Sequence, residues 1–306
     1  MLQPVAQSMG IEIYAPTNGF ISFFNSPYYS HRNALAVDIY PNVDWQHPHA
    51  PSPVEGTITD IYEFKSPHQR YFKTPQTEKL ILISNPRKPE LRVRILHVDC
   101  RLEVGTRVAV GDPLGNLERS GFFNFWTAGH MHLEVRKKEE PLRAKGAFPM
   151  EPINLGKGAD GEPQDKIPAM RIEDTGDDYI LAETGGIVRL GSFWGLGCTV
   201  NGQRGILDCG LPHYGYGGVH FTEPSSIKGG DPVRLWGRNI GLVTWVCGNF
   251  ALFKCRPLEV YVDDVRFRGF SLYLWLRENK RVKIVPREPG VCSTITKLSR
   301  IKLRPD

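Results

Sequence analysis

The chain has 306 residues, 41% hydrophobic and 23% charged, with 31 Gly, 24 Pro and a formal net charge of +5. That balance excludes a disordered, collagenous or coiled-coil protein. The mildly basic charge is compatible with an anionic polymer as partner, but falls short of a nucleic-acid footprint because the Lys and Arg residues are dispersed. No apolar run approaches the roughly 18 residues a membrane span requires, so no span is expected. The start, 1-MLQPVAQSMGIEIYAPTNG, shows neither a basic n-region nor an apolar h-region, so no secretory signal is read. The expectation is a cytoplasmic protein as written, or one exported by a non-classical, phage or lysis route.

In 30-SHRNALAVDIYP, Leu35, Val37 and Ile39 alternate with Ala34, Ala36 and Asp38, the period of a strand. Small neighbours leave room around Asp38, as a bound ion or substrate requires. Taken alone, Asp38 is better read as lying on a solvated face or starting a turn before Pro41. Strands are expected next in 57-TITDIYEF, 79-KLILIS and 91-LRVRILHV, β-branched runs separated by Pro, Gly, Asn or Ser clusters. Alternation in the last of these sets Leu91, Val93, Ile95 and His97 on one face, with Arg92, Arg94 and Leu96 on the other. A histidine closing an apolar stripe is ordinarily a hydrogen-bonded core residue. His47, His49 and His68 stand in Pro-rich loops and read as surface residues.

The segment 129-GHMHLEVR-136 carries the strongest signal. As a strand it puts His130, His132, Glu134 and Arg136 on one face and Met131, Leu133 and Val135 on the other. The two imidazoles would then lie roughly 6–7 Å apart on a rigid ribbon, their apolar back packed into a core.

From 137 to 170 the hydrophobic period is lost and Pro, Gly and charged residues dominate. A linker is expected over 156–168, between a domain at 1–155 and a β-rich accessory domain at 169–306. The second domain contains Trp194, Trp236, Trp245 and Trp275, core residues by default that could instead stack on sugars or peptides. In 211-LPHYGYGGVH, His213 and His220 stand near Cys209, a weak second metal candidate. The segment 275-WLRENKRVK is too short and charged to predict a helix. Of the six cysteines, Cys198/Cys209 and Cys247/Cys255 could pair in an oxidising setting; reduced, buried thiols fit as well. The fold class expected is mainly β, antiparallel, in two β-rich domains.

Taken together, His31 with Asp38, the isolated His97, and the His130-x-His132 pair resemble the lysostaphin/LytM-type zinc endopeptidases, bacterial hydrolases that cut peptide cross-links in peptidoglycan. The neighbouring text is similar too: 50-APSPVEGTITDI, the turn 103-EVGTRVAVGDPLG-115, Ser120-Gly121, the ending 127-TAGHMHLEVR-136 and the closing 151-EPINL. The resemblance covers roughly residues 14–155, and an ordered set is more specific than any one motif in it. It implies a duplicated-hybrid-motif-like antiparallel sheet with a groove. It also implies one zinc ion on His31, Asp38 and His132, with His97 and His130 as the unmetallated catalytic pair. Three protein ligands leave a fourth position open, as in catalytic rather than structural zinc sites. One departure concerns spacing: the family's common His-x-x-x-Asp would require a carboxylate at Leu35. Six residues separate His31 from Asp38 instead, so a turn at Arg32-Asn33 must return His31 to the site. His47 or His49 could substitute as ligand. The family also often has a histidine where Asn85 stands. The function implied is a zinc-dependent endopeptidase acting on peptidoglycan cross-links or a related cell-surface peptide. The alternatives are an inactive LytM-like binding or regulatory module, and a carbohydrate-binding β protein.

Overall fold

Alternating apolar residues and Gly- or Pro-bounded turns make nearly every element a strand. The computed structural model describes residues 1–42, 49–143, 145–224, 226–294 and 301–305. The chain divides into two units: 1–23 with 28–153, and 24–27 with 154–306.

The first unit contains β1 (Leu2–Ser8), β2 (Ile11–Pro16), β3 (Phe20–Ser22), the single helical turn α1 (Tyr29–Arg32), β4 (Val37–Tyr40), β5 (His49–Pro51) and β6 (Gly56–Lys65). It continues through β7 (Thr77–Asn85), β8 (Lys88–Leu96), β9 (Val98–Cys100), β10 (Arg107–Val108), β11 (Pro113–Leu117), β12 (Met131–Lys137) and β13 (Glu151–Pro152). Antiparallel pairing sets the order β3-β4-β12-β8-β7-β6-β10, beside two small sheets, β13-β1-β2 and β5-β11-β9. Strand β12 is therefore central, and every residue from Met131 to Arg136 is buried. One of its faces carries Met131, Leu133 and Val135, on the side of the sheet where the register places buried Ile21, Ile39, Ile81 and Ile95. The other carries ionisable side chains out of water, so each needs a partner.

The second unit opens with β14 (Ala159–Asp160), β15 (Arg171–Gly176), β16 (Tyr179–Glu183), β17 (Ile187–Leu190), β18 (Phe193–Val200), β19 (Gln203–Leu211), β20 (Tyr216–His220) and β21 (Pro232–Leu235). After them come β22 (Arg238–Cys247), β23 (Phe250–Cys255), β24 (Leu258–Val262), β25 (Val265–Phe267), β26 (Gly269–Leu272), β27 (Leu274–Trp275), β28 (Arg281–Val285), a 3₁₀ turn (Val291–Thr294) and β29 (Ile301–Pro305). Its pairings are antiparallel, β19 lying between β18 and β20 and also pairing β26. Strand β14, within 156–168, pairs with β17. Around Cys198, Leu207, Val219, Phe253 and Phe270 a separate apolar core forms.

All six cysteines are free thiols, so neither Cys198/Cys209 nor Cys247/Cys255 is bridged. Burial pushes the Cys198 and Cys209 thiols far above the ordinary range, which suits inert core residues. Trp236 and Trp275 are core residues, Trp194 is half-buried and Trp245 is exposed. Among the described residues no helix is long and apolar enough to cross a membrane.

Candidate metal centre

Strands β4 and β12 are in register, with His132 opposite Asp38. Directly opposed residues in an antiparallel pair point to the same side, so imidazole and carboxylate meet across the ladder. His132 Nδ1 lies 2.9 Å from Asp38 Oδ1.

His31 arrives on α1, which ends as Asn33 donates its backbone N–H to the Ser30 carbonyl and Ala34 donates its own to that of His31. Ala34 then turns left-handed at φ +55°. The reversal the spacing demanded is thus a full helical turn closed at Ala34, not an isolated turn at Arg32-Asn33. It also removes Ala34 from the strand, which starts only at Val37. The turn brings His31 Nε2 to 3.2 Å from Asp38 Oδ1 and 3.1 Å from His132 Nδ1. Among the described residues, His31, Asp38 and His132 are the group of three that could hold a metal ion.

Each histidine's other nitrogen has a partner that settles its tautomer. His31 Nδ1 lies 2.7 Å from the Phe23 carbonyl, which can only accept, so Nδ1 carries the hydrogen. His132 Nε2–H donates to Glu134 Oε1 at 3.1 Å. Neutral His31 and His132 therefore direct lone pairs from Nε2 and Nδ1 at Asp38 Oδ1. Three lone pairs within 3.2 Å of one another require one positive charge among them. A proton on His132 Nδ1 is one answer. Burial alone would lower that imidazole, but hydrogen bonds with Asp38 and Glu134 push it up to about 9. A divalent ion is the other. Tetrahedral ligands at roughly 2.0–2.1 Å from zinc stand about 3.3 Å apart, close to the spacing observed. Two imidazoles and one carboxylate are an ordinary zinc donor set with a fourth position open, so the residues fit the ion.

His130 precedes β12 and stacks on Tyr40, ring centroids 5.1 Å apart. Its Nδ1–H donates to the Ala128 carbonyl at 2.9 Å, leaving Nε2 an acceptor 3.6 Å from Asp38 Oδ2. Burial pushes His130 down to about 4, against the pull of Asp38, so it stays neutral near pH 7.

His97 departs from the alternation read in the sequence. Leu96 pairs with His132, so strict alternation would turn His97 with Ile95 to the face opposite His132. Instead β8 ends at Leu96 and His97 adopts φ +68°, releasing its ring from the apolar stripe. The ring sits 5.2 Å from that of His130 and 6.2 Å from that of His132. A left-handed non-glycine residue costs on the order of 1–2 kcal/mol. Glu78 helps to hold it there, accepting from His97 Nδ1–H at 2.7 Å. Ser66 and Ser120 donate to the same carboxylate at 2.6 and 2.8 Å. Glycine follows Ser120 because a Cβ at Gly121 would overlap the Pro67 carbonyl. Burial lowers His97 and Glu78 partly offsets this. Phe123 closes the apolar side, edge-on to both His97 and His130.

The remaining polar face of β12 is satisfied by Glu134. Its Oε1 accepts from His132 and from Ser30 Oγ–H at 2.5 Å, while Oε2 accepts from Arg94 at 2.8 Å and Arg136 at 2.6 Å. Burial would raise both carboxylates, yet the facing histidines hold Asp38 well below its usual range, and His132, Arg94 and Arg136 do the same for Glu134.

Residues 11–152 match the N-terminal domain, and residues 163–295 the C-terminal domain, of a family described as domain of unknown function (DUF8155). Both halves match DUF8155. No curated protein matches the chain. Similar solved structures include Csd3 from Helicobacter pylori, in a hexagonal crystal form, and the solution structure of lysostaphin. Csd3 is 19% identical over 45% of this chain and 37% of its own, little more than a third, with a TM-score of 0.24. Lysostaphin is 14% identical over 94% of this chain and 96% of its own, with a TM-score of 0.29. At such scores neither likeness bears on the chemistry, which stands on the geometry above.

The structure gathers all five candidate residues, His31, Asp38, His97, His130 and His132, in one buried cluster. His49 and His68 are exposed, and His47 lies outside the described residues. His220 instead meets Asp208 at 3.2 Å, and His213 packs edge-on to Tyr214. Sequence reading missed Glu78, Ser30 and Ser66 and gave Ser120 no role of its own; the partners of these residues lie 12 to 104 positions away. Glu134 was readable from its place on the His130/His132 face, though its partners were not.

Proposed function

We propose that the chain is a zinc-dependent endopeptidase acting on peptidoglycan cross-links or a related cell-surface peptide. The observation that carries this reading is the fixed polarity of the four imidazoles. Each, when neutral, has one nitrogen held as a donor by a carbonyl or carboxylate, which leaves the other as a lone pair. Two of those lone pairs converge on Asp38 Oδ1 as ligands, and two stand beside them uncommitted to the ion. When bound, zinc supplies Lewis-acid polarisation of a carbonyl and acidifies a water.

The chain's own residues divide the proton work. His97 is the better proton acceptor, because the imidazolium it forms faces the Glu78 carboxylate at 2.7 Å. His130 is backed only by a neutral carbonyl and lies closer to Asp38, a position suited to the leaving amine or the developing oxyanion. Phe123 and Tyr40 exclude water around both rings. The sequence resemblance, not the site geometry, supports peptidoglycan as substrate.

The test is metal analysis of the purified chain, followed by incubation with purified cell walls and glycine-rich peptides and mass spectrometry of new ends. One zinc per chain and cleavage lost in His130→Ala, with zinc kept, are expected. A metal-free chain, unaltered in stability by chelator, refutes the reading. Zinc binding without any cleavage favours the binding-module alternative.

A further inference from the structure

Between β11 and β12 the first unit runs through 118-ERSGFFNFWTAGH-130 without a strand. The start of this segment is pinned. Ser120 donates to Glu78 at 2.8 Å, the Gly121 N–H donates to Ser66 Oγ at 3.2 Å, and the Gly121 carbonyl accepts from Gln69 Nε2 at 2.6 Å. Farther along, the Phe125 carbonyl accepts from Arg119 and the Phe125 ring meets Tyr71 at 5.3 Å. Between these anchors lies a tip of two residues, exposed Phe122 and buried Phe123. Tyr28, just ahead of α1, ties the tip down: its hydroxyl donates to the Phe122 carbonyl and its ring is edge-on to Phe123 at 5.4 Å.

Phe123 in turn lies 4.8 Å from the His130 ring and 5.1 Å from the His97 ring. Tyr40 already stacks on His130, and Glu78 backs His97. A peptide group interposed between two rings needs about 7 Å between them, twice an ordinary contact distance. Phe123 therefore fills the space that a peptide lying against both proton acceptors would take.

We propose that Phe123 is a gate over His97 and His130, latched by the Tyr28 hydroxyl, and that a peptide reaches the two acceptors only after the tip swings away. The gate rests on the endopeptidase reading above. A closed tip keeps the acceptors out of water until substrate arrives, and the opening step lowers apparent affinity in proportion to the fraction closed. The hydroxyl supplies one hydrogen bond to the tip, so its removal shifts the equilibrium while the anchors at Ser120, Gly121 and Phe125 remain. Tyr28 holds α1 through its backbone carbonyl, which accepts from the Arg32 N–H at 3.1 Å, and not through its side chain. Loss of the hydroxyl therefore leaves the turn that carries His31 its own bonds.

Two full-length variants test it, Tyr28→Phe to open the latch and Phe123→Ala to remove the gate. Tyr14→Phe, which deletes a hydroxyl bonded to Glu12 on β2, is the control. The first readout is acylation of each histidine by diethyl pyrocarbonate in the metal-free chain, mapped by mass spectrometry, with exposed His49 and His68 as internal references. Tyr28→Phe should speed acylation of His97 and His130 about two- to tenfold, the effect of losing one ordinary hydrogen bond. Phe123→Ala should speed it more than the latch variant does, and Tyr14→Phe should leave it unchanged. In the cleavage assay Tyr28→Phe should raise kcat/KM by the same factor as acylation, because more of the chain is competent to bind. Wild-type acylation of both histidines in both variants would overturn the gate, and so would faster acylation with a lower kcat/KM. Should Phe123→Ala fail to fold, Tyr28→Phe decides alone. If the wild-type chain holds no zinc and cleaves nothing, the functional proposal falls, while the acylation rates still decide whether Phe123 covers the two imidazoles.

Discussion

Replacing Glu134 by Gln keeps the shape of the side chain and removes one charge. Four donors converge on this carboxylate, His132 and Ser30 on Oε1, Arg94 and Arg136 on Oε2. A carboxamide has one acceptor oxygen and one NH₂, so in either orientation donors face a donor. If the oxygen serves the guanidiniums, His132 loses the acceptor that fixes its tautomer and Ser30 loses the tether that ties α1 to β12. If the oxygen serves His132 and Ser30, two buried guanidiniums lose their shared counter-charge. Breaking a buried pair by removing one partner costs about 3–5 kcal/mol. At roughly 2–4 °C per kcal/mol for a domain of this size, the first unit should melt about 6–20 °C lower. Zinc affinity should fall about 10–100-fold, the usual effect of losing the group that orients a ligating histidine. Calorimetry with and without zinc reads the first quantity, and chelator competition the second. Glu183→Gln, which touches only an exposed pair with Arg171, is the control and should leave both unchanged. A folded Glu134→Gln variant with wild-type zinc affinity would refute the claim that one carboxylate indexes two ligands.

Three further outcomes are expected. His132→Ala should lose zinc and any rise in melting temperature that added zinc gives the wild type, since a ligand stabilises only the state that binds it; an equal rise in both proteins would exclude His132 as a ligand. Glu78→Gln should keep its zinc while turnover falls by about 10²–10⁴, the usual contribution of a positioned proton acceptor. Loss of zinc in that variant would mean that Glu78 shapes the metal site rather than His97. Glu118 is half-buried, and burial together with Asp99 and Glu78 pushes its carboxyl up to about 7 from 4.5. Between those values the folded chain keeps a proton that the unfolded chain has released. This contribution to stability is therefore present at acid pH and is lost as pH rises through about 7. Glu118→Gln should match the wild type in urea midpoint at pH 4 and exceed it at pH 8; equal midpoints at both would show that Glu118 titrates normally.

How much of this was legible depended on sequence separation. The alternation of 57–64, 79–84 and 91–96 gave strands because each run specifies its own period, and β12 could be read with its two faces. The joint order of the histidines also identified the cluster. Its supporting partners were not legible, because Glu78 reaches His97 across 19 positions and Ser30 reaches Glu134 across 104. No local pattern encodes such pairs. His97 marks another limit. Periodicity put it on the apolar stripe, and one left-handed residue moved it off, a conformation that an ordinary side chain adopts only when its surroundings over-determine it. The second unit was legible as strands alone, since Trp236, Trp275 and His220 are buried and Trp245 is exposed without any of them declaring a ligand.

The polar face of β12 argues for function on energetic grounds. Asp38, His132, Glu134, Arg94 and Arg136 are all nearly excluded from water on one face of three adjacent strands. Replacing such a network by well-packed apolar residues of similar volume is often neutral or stabilises by about 1–4 kcal/mol. Stability alone therefore does not favour it, and the opposite face of the same strand shows that Met, Leu and Val pack there without difficulty. Nor is the network closed. Glu134 is saturated by four donors, whereas His130 Nε2, beside Asp38, and Arg94 Nε, beside Glu134, are buried with no hydrogen-bond partner among the described residues. A structural network ends with its groups paired. This one ends with a fixed acceptor beside Asp38, the arrangement expected where a further group, ion or substrate, completes the set.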